Sequence, residues 1–235
     1  LHSFPTRRSS DLEATPEARF FRQLEAAFPG DSVEITSATR DGRLALVKVS
    51  SDRQPGDFYL FDAERMTAEH VASRRSDIEV ARMARMVPYL IKTRDGTPLR
   101  AFLTRPLGAD EGAGPLVVVP HGGPYGIYDE WGYSPESQLL AAAGYTVLQV
   151  NFRGSGNYGA DFQRAGAGEW GGVMQDDLTD ATRWAVKEGI AAPDRMCIYG
   201  ASYGAYAALM GVAKEPDLYR CAIGYVGVYD LPTLY

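Results

Sequence analysis

The chain has 235 residues, 45% hydrophobic and 23% charged, which is enough apolar material for one large or two modest globular domains and excludes a disordered polymer. A formal net charge of -6, with no lysine and arginine cluster along a predicted helix, argues against a nucleic-acid surface. No apolar run approaches the ~20 residues that a bilayer span requires, so no membrane partner is expected.

Residues 1–12 show no hydrophobic period and read as a non-native or disordered leader, with the natural N-terminus expected elsewhere. No signal peptide is visible, which favours the cytoplasm only weakly over the periplasm. Residues 16–28 carry apolar side chains at Phe20, Phe21, Leu24, Ala27 and Phe28, a helical stripe opened by Pro16 and stopped by Pro29 and Gly30. The period then changes. Strands are predicted at residues 33–36, 44–49 and 58–61, joined by turns at Asp41-Gly42 and Pro55-Gly56, with a weaker fourth strand near residues 70–73. Such a meander suits one blade of a β-propeller, so residues 13–86 are expected to be the last part of a propeller and its connector. A lone four-stranded sheet is the competing reading.

A second domain is expected over residues 87–235. It opens with a hairpin, residues 87–93 and 98–104 around Asp95-Gly96, at the edge of a new sheet. Buried strands at residues 116–119 and 145–150 flank a helix over 138–143, and strand, helix, strand implies parallel pairing. A helix over residues 170–187 follows, with Asp176 and Asp177 near its positive end as dipole and capping groups. A short strand at residues 197–199, a helix from Tyr203 to Ala213 and a strand over residues 221–226 complete the visible order, with no closing helix. Cys197 and Cys221 lie in apolar, strand-like runs and read as buried thiols rather than a disulfide or metal framework.

The chemistry centres on Gly200-Ala-Ser-Tyr-Gly204, a strand that turns sharply into a helix with Ser202 at the corner. In such a nucleophile elbow the flanking glycines remove side chains that would collide, and the serine Oγ is presented at a helix N-terminus. His121-Gly-Gly-Pro124 follows the first buried strand, where an α/β hydrolase places its second oxyanion donor. The Gly123 N–H and the Tyr203 N–H are the expected oxyanion donors. Arg153, in a glycine-rich loop, is read as pairing with a carboxylate to hold that loop, and His121 is not taken as the general base because it precedes the nucleophile.

Taken in order, His121-Gly-Gly-Pro124, residues 151–159, Gly168-Glu-Trp-Gly171, Asp176-Asp177 and Gly200-Ala-Ser-Tyr-Gly204 resemble the catalytic domain of the prolyl oligopeptidase family of serine peptidases. The likeness is to its acylaminoacyl-peptidase branch, from which the chain departs at Ala205, where that branch usually has a further glycine. The resemblance implies an α/β fold: a partial, C-terminally truncated α/β-hydrolase domain preceded by the end of a β-propeller that limits access to short peptides. No cofactor or metal is implied, the partner is a peptide substrate, and a homo-oligomer is left open. In this fold the triad runs serine, acid, histidine, and the 33 residues after Ser202 hold no histidine, so the acid and base are expected outside this sequence. A carboxylesterase shares the acyl-transfer chemistry, and a noncatalytic propeller-hydrolase binding protein is the reading from another class.

Overall fold

The computed structural model describes residues 16–109 and 112–234, in two units that divide between Ala81 and Arg82. The expectation for residues 1–12 lies outside the described residues.

In the first unit, helix α1 (Pro16–Ala27) precedes strands β1 (Ser32–Ala38), β2 (Leu44–Ser50), β3 (Asp57–Asp62) and β4 (Thr67–Ser73). The strands pair antiparallel in chain order, an up-and-down meander. Strand alternation supplies the core: Ala45, Val47 and Val49 point one way from β2 and are buried with Leu24, Val33 and Phe61. Phe20 of α1 meets Phe61 edge-on at 5.5 Å between ring centroids, so the predicted helical stripe closes one face of the sheet. β4 is exposed along its whole length.

The second unit is built on a six-stranded sheet. Its strands are β5 (Met86–Lys92), β6 (Pro98–Thr104), β7 (Gly114–Val119), β8 (Thr146–Asn151), β9 (Ala191–Ala201) and β10 (Cys221–Tyr225), in the spatial order β10-β9-β7-β8-β6-β5. The β5–β6 hairpin forms an antiparallel edge, and β8, β7, β9 and β10 run parallel. The helices are α2 (Pro135–Ala142), α3 (Ala160–Arg164), α4 (Val173–Lys187), α5 (Tyr203–Lys214) and a single turn, α6 (Leu231–Leu234). α3 and α6 are absent from the sequence reading, and α2 starts three residues before its predicted bound because Ser134 caps it, accepting from the Ser137 N–H.

Sheet alternation sorts the core into two layers. Leu116, Val118, Leu148, Val150 and Ile198 face Met174, Leu178 and Ala181 of α4 and Ala207 and Ala208 of α5. Val117, Val119 and Val147 face the other way, toward Leu140 of α2. That second face is only partly covered: a groove of about 510 Å³ runs over it, lined by Leu139, Tyr145, Tyr199 and Ile223.

The cysteines correct the sequence reading. Cys197 and Cys221 are joined in a disulfide, with Cα atoms 4.7 Å apart. The parallel register of β9 and β10 sets the two residues directly opposite one another, and Cys221 is exposed rather than buried. Sequence distance hid the pairing, because the two lie 24 positions apart.

Candidate active site

The sheet order places a topological switch between β7 and β9. The chain leaves β7 for β8 on one side and returns past it to β9 on the other, and crevices of this kind open at the carboxyl ends of the strands. Ser202 and the loop that starts at His121 stand at those two ends.

Ser202 joins β9 directly to α5 with φ 56° and ψ -120°, backbone space that a residue with a Cβ seldom enters. Such strain costs about 1–3 kcal/mol and persists only where the surroundings over-determine it. They do so here: the Ser202 N–H donates to Tyr225 O of β10 at 3.0 Å, and Ser202 O accepts from the Ala205 and Tyr206 N–H groups at 3.1 and 3.2 Å. The glycines have the role that the sequence assigned them. A Cβ on Gly200 would lie 2.5 Å from Gly204 C and O, and one on Gly204 would lie 2.2 Å from Pro120 O. The Ala205 methyl, at the departure from the family pattern, is fully buried toward Gly224 of β10.

The His121–Pro124 loop lies against this corner. A Cβ on Gly122 would stand 3.3 Å from Ala201 O and 3.6 Å from the Ser202 Cβ, so backbone rather than side chain adjoins the serine. Gly123 has φ 110°, and its would-be Cβ falls 2.7 Å from Ile127 Cγ1, so any other residue there is strained. The Gly123 and Tyr203 N–H groups donate to no acceptor among the described residues. The Tyr203 ring is wholly buried among Phe152, Trp170 and Tyr206, and burial raises its phenol well above the ordinary value. Its side chain thus anchors the start of α5 while its backbone stays at the corner.

The His121 ring is engaged on both nitrogens and on one face. Its Nδ1 lies 2.8 Å from Gly122 O, an acceptor, so Nδ1 carries the proton and Nε2 accepts from Ser155 Oγ at 2.8 Å. The ring stacks on Phe152 at 4.4 Å, and burial lowers its pKa, which keeps it neutral. Arg153 pairs with a carboxylate as expected, and the partner is Asp177. The capping role given to Asp176 and Asp177 is corrected: Asp177 faces Arg153, Asp176 binds Lys214 at 2.8 Å, and the Val173 N–H at the start of α4 donates to Glu169 Oε2 at 3.2 Å. Asp129 was not singled out by the sequence reading, although it is a carboxyl drawn into the base of the same loop.

A serine in a strained strand-to-helix turn at the switch point, with a diglycine loop from the next strand beside it, defines an α/β-hydrolase architecture. Residues 131–235 match the model of the prolyl oligopeptidase family. It is 41% identical over 219 residues to dipeptidyl aminopeptidase BIII of Pseudoxanthomonas mexicana, covering 90% of this chain and 32% of that protein. It is 33% identical over 227 residues to dipeptidyl peptidase family member 6 of Caenorhabditis elegans, covering 88% of this chain and 30% of that one. Among solved structures, a puromycin-hydrolyzing peptidase of Mycobacterium tuberculosis superposes with a TM-score of 0.71 at 26% identity, over 82% of this chain and 30% of that one. The chain therefore spans about a third of the length of these relatives.

Proposed function

We propose that the protein is a serine peptidase that cleaves short peptides through an acyl-enzyme on Ser202. The observation that carries this reading is the strained Ser202 backbone beside Gly122, with two N–H groups, those of Gly123 and Tyr203, left to receive an oxyanion. Amide rather than ester cleavage is favoured by the relatives, which are named as peptidases. The four-stranded meander of the first unit is read as the end of a β-propeller that screens substrates by size. We do not assign the general base to His121, because both of its ring nitrogens are already bonded. Treating the intact protein with a fluorophosphonate probe tests the reading: labelling should map to Ser202 and vanish in Ser202→Ala. Labelling elsewhere, or none in the intact protein, would sink it.

A further inference from the structure

Asp129 has no part in acyl transfer as described above, yet its surroundings are elaborately built. One side chain grips both polar groups of its backbone: the Asp129 N–H donates to Asn151 Oδ1 at 2.7 Å, and Asn151 Nδ2 donates to Asp129 O at 2.9 Å. Asn151 is the fully buried last residue of β8. The carboxyl is held from the same strand, its Oδ1 accepting from Gln149 Nε2 at 2.9 Å, while Gln149 Oε1 accepts from Ser137 Oγ of α2 at 2.9 Å. Asp129 Oδ2 is buried without a hydrogen-bond partner.

That arrangement suits a neutral carboxyl. An ionised one offers about four lone-pair sites, and burying it with a single donor and no cation is costly. The charged and titratable groups nearby do not relieve it. Glu136 on α2 repels it, Tyr158 on the following loop takes Asn151 Nδ2 at 2.7 Å, and Arg100 on β6 lies opposite Asn151 in register. Burial is the main cause, with Glu136 adding to it, that pushes the Asp129 carboxyl up to about 7.

From Asp129 the loop runs back to the serine through packed contacts. The Gly156 N–H donates to Ile127 O at 3.0 Å, the Ile127 side chain fills the space beside Gly123, and Gly122 lies against Ser202. We propose that Asp129 is the positioning residue of the oxyanion loop: clasped by Asn151 and Gln149, it seats residues 122–131 on β8 and so fixes the backbone beside Ser202. The proposal rests on the acyl-transfer reading for its purpose. Ionisation leaves a buried carboxylate that is relieved by outward movement of the loop, so the loop loosens as pH rises.

The test compares the intact wild-type protein with Asp129→Asn and Asp129→Ala in two measurements: amide hydrogen exchange over residues 122–131, corrected for intrinsic pH dependence, and the rate of fluorophosphonate labelling at Ser202. In the wild type, loop protection should fall about fivefold between pH 7 and 8. Asp129→Asn, which cannot ionise, should keep its protection across that range and lose any alkaline fall in labelling. Asp129→Ala should lose loop protection at every pH and label about tenfold more slowly, with exchange in α4 and β9 unchanged to show that the sheet is folded. Wild-type loop protection in Asp129→Ala, or an undiminished pH-dependent loss in Asp129→Asn, would overturn the proposal. An unlabelled wild type removes the acyl-transfer reading, and the exchange measurement then decides the role of Asp129 by itself.

Discussion

Arg153 closes on Asp177 from two directions, backbone and side chain. The Arg153 N–H and Nε donate to Asp177 Oδ2 at 2.8 and 3.0 Å, and Nη2 donates to Oδ1 at 2.6 Å. The remaining arm, Nη1, reaches Asp95 at 2.6 Å in the β5–β6 turn. One guanidinium therefore joins the glycine loop after β8 to α4 and to the hairpin, and these hydrogen bonds raise its pKa. Its function is architectural, because Asp177 is 0% exposed and Arg153 only 12%.

Arg153→Ala should accordingly cost about 3–5 kcal/mol in urea denaturation, since it leaves the Asp177 carboxylate buried and unpaired. Arg153→Met with Asp177→Leu should recover part of that loss, because two apolar groups leave no charge behind. A single Arg153→Ala variant as stable as the wild type would show that the pair does not hold the loop.

Gly204→Ala should destabilise the second unit by about 1–3 kcal/mol or prevent its folding, because the new methyl meets the Pro120 carbonyl at 2.2 Å and backbone cannot step aside cheaply. Ala205→Gly on the same helix removes a buried methyl without a clash and serves as the comparison. Thermal melting of the two variants separates them: the first should melt well below the second.

The disulfide closes a loop of 24 residues, which in the chain-entropy model is worth about 3 kcal/mol. Replacing both Cys197 and Cys221 by serine should lower Tm by about 6–12 °C on that figure. Reductant should lower the wild-type Tm toward the same value and leave the double variant unmoved.

His121 gives stability a pH dependence whose sign follows from burial. Its folded pKa lies below the unfolded value of about 6.5, so the unfolded chain binds more protons as pH falls. The contribution is complete above about pH 6.5 and is lost as pH drops through the folded pKa. His121→Gln, which cannot take up a proton, should flatten the fall in Tm below about pH 6.5. An unchanged acid limb in that variant would show that His121 is not the group responsible.

What could be read from the sequence follows from how each feature is encoded. The elbow was legible because Gly200 and Gly204 record a backbone collision directly: no other residue fits at either position, and the spacing states the geometry. Parallel pairing was legible too, since the buried run 116–119, a helix and a second buried strand follow one another along the chain. The cysteine bridge was not, because it depends on the register of two strands brought together by a crossover. Asp129 escaped for a similar reason. Its partners Gln149 and Asn151 lie two residues apart on one face of β8, a face that apolar periodicity cannot assign when polar side chains occupy it. The capping group of α4 was misplaced because Glu169, four residues before Val173, reaches forward across a turn that had been read as helix.

The hydrogen bond from the Ser202 N–H to Tyr225 O gives the Ser202 corner a timetable. The serine's backbone is locked to a strand that is synthesised after it, and at about 5–20 residues per second the ribosome delivers that acceptor roughly one to five seconds later. Until then the growing chain carries the glycines and the serine, but the corner lacks the strand that fixes its angle. A ribosome stalled between α5 and β10 would therefore display a serine with the right neighbours in sequence and an unsettled direction in space.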